Sequence, residues 1–415
     1  MADLDLNRKI PVLDWEPYLS RRVGRMKSSV IRELLKLTEQ PDVISFAGGL
    51  PAPDFFPLRE IEEACCYIIR EDGAKALQYS TTEGYPPLRE FLAVSMHKYG
   101  VPAVPANVLI TSGSQQALDL IGKVLIDPGD FVITCRPTYL GAIQAWNAYG
   151  ARYQTVNLDD DGMVVDEIEE AYRQAMAESG RPPKFIYVLP NFHNPAGVTL
   201  SESRRERLAE IASRLNLPIV EDDPYGQLRY EGEDLPPICS LVPERTMYLG
   251  TFSKTLTPGL RLGWIVCPEV LMQRFVMAKQ GADLHTATFP QYVANDICQR
   301  GFLKPHVQRL RRAYKERRDT MLEALAEFWP AGCSWTHPQG GLFLWARVPE
   351  SIDTTDFLRR ALEEKVAYVP GSSFYPNEDG GFNAMRLNFS YCPTETIVEG
   401  IRRLGNALKK VLGLA

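Results

Sequence analysis

Lys254 stands in the run Gly250-Thr251-Phe252-Ser253-Lys254-Thr255-Leu256-Thr257-Pro258-Gly259-Leu260-Arg261. A hydroxyl three residues before the lysine (Thr251), a second beside it (Ser253) and a guanidinium seven residues after it (Arg261) could together hold one phosphate. An amine bonded covalently to an aldehyde cofactor needs that cofactor's phosphate anchored nearby, and hydroxyl and guanidinium groups meet the anion with directional, charge-assisted bonds. The spacing points to a Schiff-base lysine. An isolated Ser-Lys pair is ordinarily a solvated surface pair, so the reading depends on what the rest of the chain brings to it.

Four other stretches follow predicted strands. Thr111-Ser112-Gly113-Ser114-Gln115 opens a helix whose apolar positions Leu118, Ile121, Val124 and Leu125 recur at helical spacing. The unpaired N–H groups and positive dipole end of that helix favour a phosphate, with Ser114 and Gln115 placed to donate, although an ordinary serine cap has the same appearance. In Glu221-Asp222-Asp223-Pro224-Tyr225 a carboxylate beyond a strand could pair with a pyridine nitrogen and keep it protonated. Spacing alone does not choose between Asp222 and Asp223, and three adjacent acids also describe a solvated loop. Pro190-Asn191-Phe192-His193-Asn194-Pro195-Ala196-Gly197 follows another apolar run, yet Asn-Pro and Gly are strong turn formers that need no ligand. His193, one of five histidines, reads as a loop residue without a role. Tyr139 lies just past a strand, where its face could stack on a planar ring. Farther on, Arg386 is a charge on a half-apolar strand, which requires a carboxylate partner from the chain itself or from a ligand.

The elements that must position these groups are legible in the periodicity. Short apolar strands at 108–110, 131–134, 185–189, 218–221, 247–249 and 263–266 alternate with helical patterns, which predicts an α/β domain with a mainly parallel sheet. After Lys304 the pattern changes to a long charged helix through Phe328, short strands near 342–345 and 385–389, and a final helix, a smaller α+β domain. A helix over 28–37 precedes the turn-rich segment 46–53, a candidate hinge, and is expected to pack with the second domain. The resulting division is an N-terminal segment 1–55, a large domain 56–303 and a small domain 304–415. The basic run Arg309, Arg311, Arg312, Lys315, Arg317 and Arg318 is interrupted by Glu316 and Asp319 and reads as a solvated helix face.

Composition narrows the partners. The chain has 415 residues, 45% of them apolar, and a net charge of −6, so it can bury a large core and carries no overall field for nucleic acid or anionic membranes. No apolar run approaches the ~20 residues of a membrane span, and the N-terminus begins acidic, so a cytoplasmic protein is expected. The eight cysteines show no metal-ligand spacing; buried thiols without disulfides or zinc are the expectation.

The lysine motif resembles that of fold-type I pyridoxal-phosphate aminotransferases, and from Arg25 to the C-terminus the chain is similar to the class I/II group that includes 2-aminoadipate, kynurenine and aromatic aminotransferases. The segments at 31–38, 46–53 and 279–286 look most like bacterial 2-aminoadipate enzymes. The resemblance implies a large domain with a mainly parallel mixed sheet plus a smaller α+β domain, pyridoxal 5'-phosphate as cofactor and no metal. It implies that Lys254 is catalytic. It also implies that Ser114, Gln115, Thr251, Ser253 and Arg261 hold the phosphate, Asp222 the ring nitrogen, Asn194 and Tyr225 the phenolic oxygen, and that Tyr139 stacks on the ring. Tyr79 resembles the tyrosine lent to a neighbouring subunit's phosphate, which implies a homodimer. Arg386 and Asn194, with Gly49, would receive the substrate's α-carboxylate end. Arg32 matches an arginine that meets the side-chain carboxylate of acidic substrates, while Ser29, Arg32 and Glu33 also suit an ordinary charged helix face. Thr251 where serine is usual, and His193 for glutamine, remove no needed group. The implied reaction moves an amino group from an L-amino acid to a 2-oxo acid such as 2-oxoglutarate by a ping-pong route. A lyase or decarboxylase on the same fold is the alternative, and a non-catalytic regulator a more distant one.

Overall fold

A computed structural model describes residues 13–26 and 42–414. Arg32 and the helix expected over 28–37 lie outside the described residues. After the short strand β1 (Ile44–Ser45), eight strands build one sheet: β2 (Val108–Thr111), β3 (Phe131–Arg136), β4 (Arg152–Asp159), β5 (Gly162–Met163), β6 (Ile186–Val188), β7 (Ile219–Asp222), β8 (Thr246–Thr251) and β9 (Gly263–Val266). Their order is β2-β9-β8-β7-β6-β3-β4-β5. The pairs from β8 through β7, β6 and β3 to β4 are parallel, whereas β9 runs antiparallel to both β8 and β2, and β5 antiparallel to β4. Consequently the carboxyl ends of β2, β3, β6, β7 and β8 and the amino end of β9 emerge along one edge. Every candidate group singled out between Ser112 and Arg261 follows one of those ends, or precedes β9.

All six anticipated strands of the sheet are present. The fourth and fifth were not anticipated, because β4 (Arg-Tyr-Gln-Thr-Val-Asn-Leu-Asp) mixes exposed and buried positions without a clean alternation. The central strands are buried along their whole length, as expected of parallel strands covered on both faces. Side chains alternate between two layers. Val132, Tyr187, Val220 and Leu249 pack with Leu118, Ile121, Trp146 and Phe275 from helices Ser114–Leu125, Leu140–Asn147 and Glu269–Asp283. Ile133, Ile186, Val188 and Ile219 pack with Ile168, Leu208 and Ile211 from helices Ile168–Ser179 and Glu202–Leu215.

Beyond helix Leu303–Phe328 the strands are β10 (Ser334–Trp335), β11 (Phe343–Arg347), β12 (Val366–Ala367), β13 (Val369–Pro370) and β14 (Ala384–Asn388). Four of them form an antiparallel sheet in the order β10-β11-β14-β13, while β12 pairs in parallel with β1. This last pairing brings the segment before Gly49 against the C-terminal part of the chain. The basic run on helix Leu303–Phe328 is not uniformly solvated as its sequence suggested: Arg317 and Arg318 are buried, and Arg318 bonds Glu231 and the carbonyl of Pro338. Among the cysteines, Cys66 is exposed and Cys65 and Cys333 are part-buried, so the thiols are less interior than their scattering implied. Among the described residues no helix is long and apolar enough to cross a membrane.

Candidate active site

One end of the site is a cradle of backbone N–H groups. The turn from β2 into helix Ser114–Leu125 passes through Gly113 with φ 81°, a left-handed conformation that glycine adopts without a Cβ penalty. Ser114 is the first helical residue and Gly113 the cap, so the ordinary serine-cap reading does not hold. Packing here leaves no room for larger residues. A Cβ on Gly113 would meet Arg261 Nη2 at 2.6 Å, and one on Gly263 would meet Ser114 N at 2.7 Å. Arg261 makes only long bonds, to the carbonyls of Ser112 and Pro258 at 3.4 Å, and has no ion pair among the described residues. The Thr251 hydroxyl shapes the turn that presents Ser253, donating to Leu262 O (2.9 Å) and accepting from Ser253 N (3.1 Å). Gln115 reaches across to the first turn of helix Leu140–Asn147, donating from Nε2 to Gly141 O.

At the other end lies Asp222, 2% exposed at the end of β7. Its Oδ2 accepts from the Tyr187 hydroxyl at 2.9 Å, and its Oδ1 is buried without a partner. Burial pushes this carboxyl up to about 7; the Tyr187 bond opposes that and the neighbouring Asp223 adds to it. Geometry separates the two aspartates that spacing alone could not. Asp223 accepts from Asn191 Nδ2, Gly226 N and the Tyr248 hydroxyl, so its oxygens hold the loop together. Asp222 is the one with an oxygen to offer.

Between the two ends sit Tyr139, Asn194, Tyr225 and Arg386. The part-buried Tyr139 feels Asp222, Arg386 and Arg261 together, with burial the largest influence, and its hydroxyl is pushed up to about 12. Asn194 Nδ2 donates to the Tyr225 hydroxyl at 3.4 Å, and Asn194 Oδ1 accepts from Arg386 Nη1 at 2.9 Å. Arg386, 1% exposed on β14, also donates from Nη2 to Ala47 O, lies 4.2 Å from the ring of Phe343, and leaves Nε buried without a partner. No carboxylate pairs with it among the described residues, so an internal salt bridge is not its explanation. Burial lowers its guanidinium to about 10.

Lys254 is brought to the middle of this set. Its Nζ donates to Gly49 O at 2.7 Å, which places the segment after β1 directly over the lysine. Burial, then Arg386 and Arg261, lower the amine to about 8.

One expected residue among those described is not in the cluster: Tyr79 is 79% exposed, its ring edge-on to His285 at 5.8 Å. Arg32 lies outside the described residues. Others were missed. Tyr187, which orients Asp222, is an unremarked tyrosine in a buried strand. Arg205, fully buried, donates to Pro190 O, Asn191 Oδ1 and Leu200 O and so fixes the loop carrying Asn194. His193, which sequence left without a role, is buried: Nδ1 accepts from Ala196 N, and Nε2 lies 3.3 Å from Cys135 Sγ on the strand leading to Tyr139. Only its place beside Asn194 in the sequence pointed to it.

The residues present fit pyridoxal 5'-phosphate. An orphaned buried acceptor at Asp222 suits a protonated ring nitrogen, and a cradle of N–H groups beside an unpaired arginine suits a phosphate. A lysine held between them suits the aldehyde. The aminotransferase class I and II family model matches residues 42–404. The aromatic-amino-acid aminotransferase 1 of Thermococcus litoralis is 49% identical over 402 residues, 96% of each chain. A 2-aminoadipate transaminase of Thermus thermophilus is 43% identical over 97% of this chain and 99% of its own length. Among solved structures, a Pyrococcus horikoshii kynurenine aminotransferase in complex with PMP superposes with a TM-score of 0.92 at 47% identity, covering 96% of this chain and 98% of that one.

Proposed function

The chain belongs to the class I and II aminotransferases and is a pyridoxal-phosphate-dependent enzyme of amino-group transfer; from that premise we propose the roles of its residues and its substrate class. The observation that carries the reading is the pair of buried, unmatched polar groups, Asp222 Oδ1 and Arg386 Nε, in the same site as a Lys254 amine that feels Arg386 and Arg261. Bound pyridoxal phosphate supplies an aldehyde carbon through which amino groups are exchanged and a ring that withdraws electrons. Asp222 Oδ1 would hold the ring nitrogen, Asn194 Nδ2 and the Tyr225 hydroxyl the phenolic oxygen, and Tyr139 one face of the ring. Ser114, Gln115, Ser253 and Arg261 would hold the phosphate, with Thr251 setting the turn of Ser253.

Arg386 receives the α-carboxylate of the amino acid. A guanidinium has five N–H donors; two are used on Asn194 and Ala47, and the unpaired Nε–H leaves an edge for a carboxylate. Asn194 thus touches both partners of the reaction. Burial, Arg386 and Arg261 bring its amine down from 10.5 to about 8, so a far larger fraction of Lys254 Nζ than of an exposed lysine is neutral and able to take the proton from the substrate's Cα. Gly49 O accepts from that amine and aims it.

The donors are L-amino acids of the 2-aminoadipate and aromatic kind, the acceptor a 2-oxo acid such as 2-oxoglutarate, and the kinetics ping-pong. Names of the relatives support this range. A panel of 2-aminoadipate, glutamate, leucine and phenylalanine tests it, with 2-oxoglutarate as acceptor and glutamate as the product read for the other three donors. Glutamate forms with 2-aminoadipate and phenylalanine, and Arg32→Ala lowers turnover of 2-aminoadipate about tenfold more than that of leucine, as loss of one charge-assisted contact predicts. Release of ammonia or carbon dioxide without glutamate makes the enzyme a lyase or decarboxylase instead, and equal losses for every donor remove the selective role of Arg32.

The enzyme is a cytoplasmic homodimer in this proposal, organised as an N-terminal segment 1–55, a large domain 56–303 and a small domain 304–415. The exposure of Tyr79 and of Leu77 beside it, both apolar surfaces a monomer would leave wet, supports the dimer. Sedimentation at about twice the 46.7 kDa chain mass is expected; a single-chain mass at micromolar concentration overturns the dimer and with it the shared role of Tyr79.

A further inference from the structure

Lys279, on helix Glu269–Asp283, has a side chain that is 0% exposed. Lysine is almost never buried so completely unless its charge is matched. All three of its donors are used: Nζ lies 2.7 and 2.8 Å from the two oxygens of Asp283 and 2.9 Å from Gln116 Oε1. Gln116 in turn donates from Nε2 to Asp283 Oδ2 at 2.7 Å, closing a ring of three side chains. Burial and the Asp283 charge act oppositely on the amine. On the carboxyl, burial is outweighed by bonds from Lys279, Gln116 and Ser112, which hold it below the usual range.

The ring has one common target. Ser112 N donates to Gln116 Oε1 at 2.7 Å, and Ser112 Oγ donates to Asp283 Oδ2 at 3.0 Å. The third polar group of Ser112, its carbonyl, faces Arg261 Nη2. Thus both donors of the residue that enters the Gly113 turn are clamped by groups outside the cofactor set, and its acceptor meets the arginine of that set. A buried ion pair adds little net stability, since the cost of desolvating two charges offsets their attraction. What it does supply is a fixed position.

We infer that Lys279, Asp283 and Gln116 are positioning residues for the phosphate cradle. By holding Ser112 at both its N–H and its hydroxyl, they fix the path into Gly113, and with it the direction of the Ser114 and Gln115 N–H groups at the helix start and their spacing from Arg261. The inference rests on the reading that the phosphate lies at that helix start beside Arg261. Directional bonds to an anion lose strength steeply with misalignment, so a cradle whose entry residue is loose binds the phosphate less well while leaving the ring contacts intact.

The test compares pyridoxal 5'-phosphate with pyridoxal, which lacks the phosphate, by absorbance titration of the cofactor-free protein. The double variant Lys279→Met/Asp283→Asn removes the charges together. Ser112→Ala removes one clamp bond, that to Asp283 Oδ2, and leaves both charges of the pair in place. In both, affinity for pyridoxal phosphate falls about tenfold, the factor that ~1.4 kcal/mol represents, while affinity for pyridoxal and the unfolding midpoint of the cofactor-free protein stay as in the parent. Equal losses for both ligands, or no loss for pyridoxal phosphate, overturn the inference. Arg261→Gln separates the two levels: if it shifts the ratio of the two affinities and the clamp variants do not, the positioning role fails and the cradle stands. If Arg261→Gln also leaves that ratio unchanged, the cradle reading itself fails.

Discussion

Replacing Lys254 with alanine is expected to lower the rate of amino-group transfer by about ten-thousand-fold or more, since in the proposed roles one side chain both tethers the cofactor and moves the proton. The variant also loses the absorbance of the lysine-bound cofactor, and Arg386, Asp222 and Asn194 still bind amino acid and cofactor loosely. Retention of wild-type turnover excludes Lys254 from both tasks. The pH dependence follows from the same environment. Burial, Arg386 and Arg261 disfavour the charged amine and bring it down from 10.5 to about 8, so the neutral, reactive fraction rises as pH rises through 8 and levels off above it. Labelling of Lys254 in the cofactor-free protein by an amine-selective reagent, located by peptide mass, therefore climbs about tenfold per pH unit below the midpoint and flattens above it. A midpoint near 10.5 shows that the amine does not sense its burial.

Asp222→Asn has the next largest effect. The substitution preserves shape and the contact with Tyr187, but it withdraws the negative charge that an orphaned Oδ1 offers to the ring nitrogen. Removing one such preorganised electrostatic contact from a water-excluded site costs about 10²- to 10³-fold in kcat, and here the loss falls on kcat far more than on KM because Arg386 still receives the substrate. Asp223→Asn is the control, since that carboxylate is engaged with Asn191, Gly226 and Tyr248. It acts through loop stability instead, with a lowered melting temperature as its signature. If the Asp223 variant loses kcat as Asp222→Asn is expected to, while Asp222→Asn does not, the assignment of the two acids is reversed.

The candidate site was legible in proportion to how locally its chemistry is written. Ser253, Lys254 and Arg261 fall within one turn-rich connection, and the strands ending at Thr111, Arg136, Val188, Asp222 and Thr251 announce themselves as short, largely apolar runs. Other members left no such trace. Tyr187 differs in no sequence respect from any core tyrosine, because its value lies in a hydroxyl directed at the neighbouring strand. Arg205 lies in a charged helical stretch, Glu202-Ser203-Arg204-Arg205-Glu206-Arg207, in which nothing local marks it as the arginine that the Asn194 loop covers. Arg317 and Arg318 seemed solvated for the same reason: a helical charge pattern does not reveal which face another segment will cover.

By itself the sequence determined the alternation of strands and helices, and hence that several loops must emerge together at the carboxyl edge of a mainly parallel sheet, for strand direction and connection length leave few other arrangements. It also determined which residue types stood in those loops. Only the tertiary structure showed that Asp222 keeps an unpartnered oxygen while those of Asp223 are engaged, left Arg386 without a carboxylate partner among the described residues, put Gly49 over the Lys254 amine and buried Lys279 against Asp283 and Gln116. Each of those outcomes depends on which atoms meet across long sequence separations. Desolvation and hydrogen bonding act on atoms brought together in space, and local residue patterns carry no record of them.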